Sequence, residues 1–346
     1  MHDTMDLTNY FLELVTDKRK GFFAALISFL LYLLSLLYGL AVRFLAFFYA
    51  INPYRASCKV IGVGNITLGG TGKTPLVEWL ARYVRSQRKK TAILTRGYGG
   101  GDEPAMLAAK LPDVPVLVDK DRVKTIRRAI KDHGVDAVIL DDAFQQWRII
   151  KDLNILTIGV DQGFGNRHLL PRGVLREPLS ALTRADVFVL HQAGQAQDTA
   201  TLRSFLSRIN PRAEIVETAL VPTEIFRLNA AGHRLEPGIL KGKRAGVFSG
   251  IGNPAAFEQT VRGLGTAVAA VYRFRDHHIY TPADISVMRQ EARSLDLLIT
   301  TEKDAVRFPA TLAADLPCAV YVVAAEMRIT NNEQGFRHRL SGLFAT

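Results

Sequence analysis

The sequence predicts an α/β protein in which a membrane helix precedes a parallel-sheet domain and a second, smaller α/β domain. Three observations predict it: a long apolar run near the N-terminus, short β-rich runs that alternate with helical stretches, and a break in that alternation after residue 220. Strands that alternate with helices favour a parallel sheet covered by helices. Of the 346 residues, nearly 300 follow the first 50, which is enough for two domains with their own cores.

The first element is an apolar run without a charged residue from Gly21 to Val42. It is long enough to cross a hydrocarbon core of about 30 Å as one helix. A cleaved signal peptide is the competing interpretation, but the run is too long and acidic residues precede it. Basic residues flank the run in nearly equal number, so the positive-inside rule leaves open whether the helix spans the bilayer or dips into one leaflet.

The alternating pattern then supplies the strands of two domains. In the first domain we expect strands at 60–63, 91–94, 114–118, 135–140, 153–160 and 185–190. In the second we expect strands at 244–248, 267–274, 297–300 and 319–323, with helices from Pro254 and Pro282. A turn around Ala231–Gly232 and the pair Pro237–Gly238 indicate a hairpin linker between them. The predicted divisions are the membrane region 1–50, a first domain 51–220, the linker 221–243 and a C-terminal lobe 244–346.

Charge and cysteine content limit the classes of partner. The formal net charge is +11, and the first 50 residues carry four acidic and four basic side chains, so the excess lies in the globular part. Such a charge suits anionic lipids or phosphorylated substrates. No zinc finger, aromatic stacking signature or basic tail supports nucleic-acid binding, and we see no sign of an obligatory protein partner. Two cysteines, Cys58 and Cys318, form neither a disulfide framework nor a metal-ligand spacing, which fits a reducing compartment.

A glycine-rich turn between an apolar strand and a helical run carries the strongest chemical signal. Residues 60–74 read VIGVGNITLGGTGKT and end in Lys73 and Thr74. Backbone N–H groups and the following helix N-terminus attract polyphosphate, the lysine adds a full charge, and the threonine hydroxyl suits Mg²⁺. The first glycine of the strict pattern is replaced by Thr67. The sequence therefore predicts a P-loop NTPase-like domain whose nucleotide contacts are Thr67, Leu68, Gly69, Gly70, Thr71, Gly72, Lys73 and Thr74.

Paired carboxylates follow another predicted strand of the same domain. Asp141 and Asp142 end the apolar run Ala137–Leu140, where a phosphate-loop enzyme holds Mg²⁺ opposite the loop hydroxyl. Strand-end aspartates also act as helix caps or turn formers, so the pair gains weight from the phosphate loop. Phosphoryl transfer further needs a carboxylate near the acceptor hydroxyl and cations around the transferring group. The candidates in this domain are Asp102, Glu103, Arg96, Arg122, Arg172 and Arg176.

Eight segments, in this order behind a membrane helix, resemble the tetraacyldisaccharide 4'-kinases of lipid A biosynthesis. They are the segments 63–75, 95–100, 101–104, 121–122, 141–145, 170–178, 276–280 and 301–307. The resemblance covers nearly the whole chain. It implies transfer of the ATP γ-phosphate to the 4'-hydroxyl of a tetraacylated glucosamine disaccharide 1-phosphate, with Mg²⁺, on the cytoplasmic face of the bacterial inner membrane. It also implies two α/β lobes joined by a two-stranded linker.

The resemblance assigns roles to individual residues. It makes Lys73 and Asp142 catalytic and Asp102 the base, with His277 as its partner, because a histidine can orient and tune an aspartate. From the residues alone, His277–His278 could equally be a surface turn or half of a metal site. The implied metal side consists of Thr74, Asp141, Asp142 and Glu177. The implied contacts to substrate and nucleotide are Arg96, Tyr98, Glu103, Arg122, Gln145, Arg176 and Glu177.

Two other functional classes are compatible with the same motifs. A membrane-tethered P-loop nucleotide hydrolase or switch would use the same loop without a lipid acceptor, although no guanine-reading N-K-x-D segment is present. A non-enzymatic membrane scaffold would need the glycine-rich loop only for its backbone conformation. The scaffold hypothesis predicts no nucleotide affinity and tolerance of Lys73→Ala.

Overall fold

The computed structural model describes residues 13–97, 102–191, 199–228 and 234–345. The chain forms two compact units. Unit 1 comprises residues 1–95, 121–219 and 329–346, and unit 2 comprises residues 96–120 and 220–328. Two segments differ from the predicted divisions. Residues 96–120, expected in the first domain, belong to unit 2, and residues 329–346, expected in the C-terminal lobe, belong to unit 1. Tyr98 and the turn predicted around Ala231–Gly232 lie outside the described residues.

Unit 1 confirms the predicted alternation of strands and helices. Its helices are α1 (Phe22–Ile51), α2 (Lys73–Ser86), α4 (Arg122–His133), α5 (Thr199–Ile209) and α10 (Glu333–Gly342). Its strands are β1 (Lys59–Gly64), β2 (Thr91–Thr95), β4 (Ala137–Leu140), β5 (Leu153–Gly159), β6 (Val187–His191) and the first part of β7 (Glu214–Arg227). A 3₁₀ helix, Leu179–Arg184, precedes β6.

The strands of unit 1 form a parallel sheet in the order β2-β4-β1-β5-β6-β7. Residues Lys59 to Gly62 of β1 pair in register with Ala137 to Leu140 of β4, so both strands end at the same edge. The central strands are almost fully buried, as expected for a parallel sheet covered on both faces. The phosphate loop and the paired aspartates therefore leave the sheet side by side.

The C-terminal helix belongs to unit 1 because its aromatic residue packs on α2. The Phe336 ring stacks on Trp79 with centroids 5.4 Å apart, and Trp79 stacks on Tyr83 at 5.5 Å. The Tyr83 hydroxyl donates to the carbonyl of Arg337 at 3.1 Å. The Arg337 guanidinium lies 5.5 Å from the ring centroids of Trp79 and Tyr83. Burial of large aromatic rings is a strong stabilising contribution, and it fixes α10 on the helix that follows the phosphate loop.

Among the described residues, α1 is the one helix long and apolar enough to cross a membrane. Its 30 residues extend past the uncharged run and include Arg43. Most of its large apolar side chains are exposed, and four of its residues are buried. Two of its tyrosines contact other parts of unit 1: Tyr32 makes an edge contact with His168, and Tyr38 donates to the carbonyl of Arg176 at 3.0 Å. The helix therefore packs against the segment that leads to Arg176.

Unit 2 contains the remaining elements. Its helices are α3 (Asp102–Lys110), α6 (Pro254–Gly263), α7 (Pro282–Ala292), α8 (Glu302–Arg307) and α9 (Ala310–Ala314). Its strands are β3 (Val116–Val118), β8 (Arg234–Leu235), β9 (Arg244–Ser249), β10 (Ala267–Arg273), β11 (Leu297–Thr301) and most of β12 (Ala319–Asn331). Phe248, Tyr280 and Phe308 lie in one of its buried clusters. In the linker, β7 pairs antiparallel with β8 through Ile225 and Phe226.

The parallel strands of unit 2 follow the order β10-β9-β11-β12. The chain proceeds from β9 to β10 on one side, and β11 then pairs with β9 on the other side. The strand order thus reverses at β9, and open α/β sheets bind ligands outside the carboxyl ends of the strands at such a point. The turn after β9 and the helix α8 after β11 lie at these ends.

Candidate functional site

The phosphate loop of unit 1 is held by backbone hydrogen bonds to the segment before Arg176. The Leu68 N–H donates to the carbonyl of Val174 at 2.9 Å, and the Arg176 N–H donates to the carbonyl of Ile66 at 2.7 Å. Thr67 forms an isolated bridge with Leu175. The loop and the Arg176 segment are therefore joined by backbone hydrogen bonds, which fix the arginine relative to the residues of the loop.

Glycine is required at two positions of this loop. Gly69 and Gly72 have φ of +110° and +80°, the left-handed region that side chains disfavour. Gly72 is the N-cap of α2, and this helix has neither a side-chain cap nor an acidic residue in its first turn. Helix N–H groups that no side chain caps attract an anion, and the helix dipole favours negative charge there. The loop therefore fits a polyphosphate.

The underside of the loop rests on buried polar residues of neighbouring strands. The Thr71 and Thr157 hydroxyl oxygens are 2.8 Å apart, and Thr157 also donates to the carbonyl of Gly64 at 3.2 Å. The His191 ring packs against Gly72 so closely that a Cβ added to this glycine would lie 2.5 Å from the nearest ring atom. Burial lowers the pKa of His191 to about 4, so the ring is neutral at physiological pH. His191 is a support that the sequence analysis did not identify, although it ends an apolar strand.

Four polar side chains converge at the mouth of the loop. Arg176 donates from Nη1 and Nη2 to the two carboxylate oxygens of Asp142, at 2.8 and 3.1 Å. The Asn65 amide oxygen accepts from Arg176 Nη1 and from Lys73 Nζ, both at 3.2 Å. Lys73 Nζ lies 3.9 Å from an oxygen of Asp142. The structure thus brings together three predicted residues and adds Asn65, which the sequence analysis passed over.

Asp142 combines a strained backbone with a stabilised charge. Its φ is +52°, which is uncommon for a residue with a side chain and turns the carboxylate toward the loop. Burial alone would raise the pKa of Asp142. The hydrogen bonds and charge of Arg176, with the charges of Lys73 and Arg122, outweigh burial and lower that pKa from its ordinary value. The carboxylate is therefore ionised at neutral pH.

Two further residues at this edge carry oxygen atoms that suit Mg²⁺. Asp141 and Thr74 are both buried. Asp141 directly follows the last residue of β4, and Thr74 is the second residue of α2, which begins at the same edge of the sheet. Arg122, predicted to lie near the substrate, is buried as the first residue of α4 and donates to the carbonyl of Asp141 at 2.9 Å. A hydroxyl and a carboxylate are hard oxygen donors, so the residues present fit a magnesium ion.

Glu177 lies in a buried network of side-chain donors. Its carboxylate accepts from Gln145 Nε2 at 2.9 Å, from Trp147 Nε1 at 3.3 Å and from Arg184 Nη2 at 2.7 Å. The same Gln145 nitrogen donates to the carbonyl of Asn65 at 3.0 Å. Through Gln145 these contacts link Glu177, the residue after Arg176, to Asn65 at the start of the phosphate loop. They favour a role for Glu177 in holding this loop and Arg176 in place. Trp147 and Arg184 are neighbours of Glu177 that were not among the predicted site residues.

In unit 2, His277 lies on a turn beyond the carboxyl end of β10. Its φ is +59°, and its N–H donates to the carbonyl of Gly250 at 3.2 Å. One third of its side chain is exposed, at 33%. His278 is engaged differently: its Nε2 lies 3.0 Å from an oxygen of Asp284, and its ring stacks on Phe274 at 4.6 Å. The two histidines therefore differ in their contacts: His278 is engaged by Asp284 and Phe274, and His277 is anchored through its backbone.

The other predicted residues of unit 2 lie at the start of α3. This helix begins at Asp102, whose side chain is outside the described part of the chain. Glu103 forms an ion pair with Lys303 of α8. Arg96 is exposed just before the residues that are not described. Asp102, Glu103 and His277 thus belong to one unit, and the phosphate loop, Asp142 and Arg176 belong to the other.

Comparisons with known proteins agree with the resemblance seen in the motifs. A family model described as LpxK, tetraacyldisaccharide-1-P 4'-kinase, matches residues 27–100 and 100–345. A tetraacyldisaccharide 4'-kinase from Geobacter sulfurreducens is 34% identical over 349 residues, which cover 94% of this chain and 96% of the relative. Another, from Syntrophus aciditrophicus, is 34% identical over 347 residues, with 89% and 91% covered.

A solved structure supports the same conclusion for the fold. LpxK from Aquifex aeolicus, crystallised in complex with ATP, is 25% identical with a TM-score of 0.68. The similarity covers 90% of this chain and 98% of that chain. The predicted α/β fold and the predicted kinase resemblance are thus confirmed. By sequence along almost its whole length and by fold, this chain belongs to the tetraacyldisaccharide-1-phosphate 4'-kinase family.

Proposed function

We propose that this chain transfers the γ-phosphate of ATP to the 4'-hydroxyl of tetraacyldisaccharide 1-phosphate and so forms lipid IVA in lipid A biosynthesis. The observation that carries the proposal is the convergence of Lys73, Asp142 and Arg176 on a glycine loop at a helix N-terminus, in a member of this kinase family. Such a cluster offers the positioning and positive charge on which phosphoryl transfer depends.

The nucleotide contacts follow from the loop. Residues Thr67 to Thr74 supply backbone N–H groups and the N-terminus of α2, and Lys73 supplies a cation for the β- and γ-phosphates. Arg176 adds a planar guanidinium that already aligns with a carboxylate in two-point geometry. Both cations stabilise the negative charge of the transferring group.

The carboxylates of unit 1 divide into two tasks. We assign Mg²⁺ to the Thr74 hydroxyl and Asp141, and the ion would neutralise charge on the nucleotide phosphates when bound. Asp142 accepts from Arg176 through both of its oxygens and lies near Lys73, so we assign it the orientation of these two cations. Glu177 is enclosed by donors, and we assign it the support of Gln145 in preference to a direct metal contact.

The acceptor hydroxyl needs a base to take its proton. We assign this task to Asp102 at the start of α3, with His277 as the group that orients it and tunes its basicity. Glu103 and Arg96 belong to the same unit and complete the proposed contacts to the substrate, together with Tyr98. This part of the proposal rests on the family resemblance and on the partial exposure of His277, at 33%.

The exposed apolar surface of α1 suits a substrate that stays in a bilayer. A lipid with four acyl chains presents its sugar at the membrane surface, so an enzyme attached there searches in two dimensions. We place the protein at the bacterial inner membrane with both units on the cytoplasmic face, where ATP is available. The net charge of +11 would favour anionic lipid head groups.

The direct test is phosphate transfer by the full-length protein in detergent or nanodiscs. Radiolabelled γ-phosphate should appear on tetraacyldisaccharide 1-phosphate, and the Asp102→Asn variant should lower kcat while leaving ATP binding nearly intact. A reaction without lipid measures hydrolysis alone. ATP hydrolysis with no lipid product would replace the proposal by a nucleotide hydrolase, and absence of both reactions with no ATP binding would favour a scaffold.

A further inference from the structure

Asp304 in α8 is a fully buried carboxylate to which the proposed chemistry gives no task. Its Oδ1 accepts from the Gly250 N–H at 3.0 Å, the Tyr280 hydroxyl at 2.9 Å and Arg307 Nη2 at 2.9 Å. Its Oδ2 accepts from the Thr301 hydroxyl at 2.7 Å. Burial and the Asp304 charge raise the pKa of Tyr280, so its hydroxyl remains a donor. Breaking the hydrogen bonds of a buried carboxylate costs free energy, so Asp304 fixes the positions of the groups that donate to it.

One end of this network is the turn that carries His277. Arg307 Nη2 donates to the carbonyl of Gly250 at 3.0 Å, and the His277 N–H donates to the same oxygen at 3.2 Å. Gly250 is therefore held through both its N–H and its carbonyl. A Cβ there would come within 2.9 Å of the Arg275 carbonyl oxygen, so the turn also needs glycine for close approach. The left-handed backbone of His277 is fixed through this shared carbonyl.

The other end of α8 reaches the helix that begins at Asp102. Lys303 pairs with Glu103, the second residue of α3. Glu302 pairs with Lys110, the last residue of the same helix, at 2.8 Å. These two pairs have opposite polarity, since α8 contributes one cation and one anion. They therefore fix α3 at its first turn and at its last residue.

The network lies at the carboxyl ends of the central strands of unit 2. The strand order of unit 2 reverses at β9, and ligands of open α/β sheets bind outside the carboxyl ends at such a point. Gly250 follows β9 there, and α8 follows the neighbouring strand β11. At this point the described chain carries a network of its own side chains around Asp304, which suits a support for a reactive group.

We propose that α8 is a positioning clamp for the acid–base pair: Asp304 and Arg307 fix the turn of His277, and Glu302 and Lys303 fix the helix that begins at Asp102. The clamp rests on the proposed function, because it gives α8 a task only if these two residues act together. Its four polar residues are positioning residues, and none of them is required to touch the substrate.

The test is a double-mutant cycle between Arg307 and His277 in the full-length enzyme. Arg307→Lys should lower kcat about 10–100-fold through displacement of the turn, with the KM for ATP unchanged. In a His277→Ala background the same change should have almost no further effect, because the positioned group is gone. Arg273→Lys is the matched control, since Arg273 makes a two-point ion pair with Glu258 at an exposed site of the same unit. Equal losses in both backgrounds would overturn the clamp.

Two further experiments complete the test, and the first of them keeps it decisive if Arg307→Lys does not fold. Tyr280→Phe removes one donor to Asp304 and should lower kcat in the wild-type background but not with His277→Ala. For the α3 contacts, Lys110→Glu should lower kcat and the added Glu302→Lys should restore most of it; absence of restoration would remove α3 from the clamp. If the wild-type enzyme transfers no phosphate to lipid, the proposed function fails, whereas an active wild type with additive variants overturns the clamp alone.

Discussion

The two units expose their polar functional residues to very different degrees. In unit 1 the side chains of Lys73, Asp142 and Arg176 keep 21%, 20% and 23% exposure while pairing with one another. In unit 2 the Asp304 side chain is fully buried and that of Arg307 is 8% exposed, whereas His277 is 33% exposed. In unit 1 the two cations proposed to contact phosphate are therefore positioned by Asp142 beside them, whereas in unit 2 the proposed partner of the base is held by separate buried residues.

The difference follows from the chemistry that each group is asked to perform. A polyphosphate needs several cations within reach, and such cations repel one another unless carboxylates such as Asp142 lie among them. A base needs a fixed direction more than it needs many charges nearby. A buried ion pair that shares a backbone carbonyl with a partly exposed histidine provides that direction. Four predictions test this contrast, from the largest expected effect to the smallest.

The largest effect is expected from Lys73→Ala in unit 1. Loss of the cation should lower kcat/KM for lipid phosphorylation by about 10³-fold, because the Lys73 ammonium group stabilises negative charge in the transition state. Lys59→Ala is the control, since Lys59 also pairs with an aspartate, at 3.8 Å, but lies on the surface of the same unit. Its activity should be that of the wild type. Steady-state kinetics of both variants decides the matter, and an active Lys73→Ala enzyme would contradict the site assignment.

The neighbouring histidines of unit 2 should separate activity from stability. His277→Ala should lower kcat by about 10²-fold at unchanged thermal stability. His278→Ala should instead lower the free energy of unfolding by about 1–2 kcal/mol, because it loses the bond to Asp284 and the stacking on Phe274. Kinetics and thermal unfolding of both variants measure this. The opposite pattern would exchange the roles of the two residues.

A smaller effect is expected where the membrane helix contacts the Arg176 segment. Tyr38→Phe removes the hydroxyl that donates to the Arg176 carbonyl, and a bond worth about 1 kcal/mol corresponds to about a fivefold loss of kcat. Tyr49→Phe on the exposed surface of the same helix should have no effect. The assay should use nanodiscs so that α1 keeps a bilayer around it. Equal kcat in the two variants would exclude coupling through this hydroxyl.

The smallest effect concerns stability at low pH. Because the pKa of Asp142 lies below its ordinary value of 3.8, its ionised form stabilises the folded state above that value. This stabilisation is lost as pH falls through the lower pKa of the folded state. Asp142→Asn should therefore make the free energy of unfolding less dependent on pH below about 4. Denaturant unfolding across the acid range would show it, and identical slopes for both proteins would contradict the lowered pKa.

Much of the fold could be predicted because its signals are local. The strand before the phosphate loop, expected at 60–63, is observed as Lys59–Gly64, and the strand expected at 297–300 is Leu297–Thr301. The largest differences concern two long strands. The strand expected at 319–323 extends over Ala319–Asn331, and β7, Glu214–Arg227, crosses the boundary expected at residue 220. Of the strand expected at 114–118 only Val116–Val118 is extended, because the chain before it still turns out of the preceding helix. Periodicity identifies an element better than its ends.

The candidate site could be predicted only in part. Lys73 and the paired aspartates belong to contiguous motifs, so their residue types reveal their chemistry. Asn65, His191 and Arg184 carry no such signal, because an amide, a buried histidine or a surface arginine is common in any protein. Asp304 lies in a segment that the resemblance includes, but its burial and its contact with Gly250 could not be inferred from the amino-acid sequence.

The sequence by itself determined the apolar helix, the alternation of strands and helices, the phosphate loop and the order of the motifs. These features depend on composition and spacing within short stretches of chain. Only the tertiary structure decided which charges pair: Arg176 meets Asp142 across 34 residues, and Asp304 meets Gly250 across 54. Strand order and register set such pairs, and both depend on packing of the whole sheet.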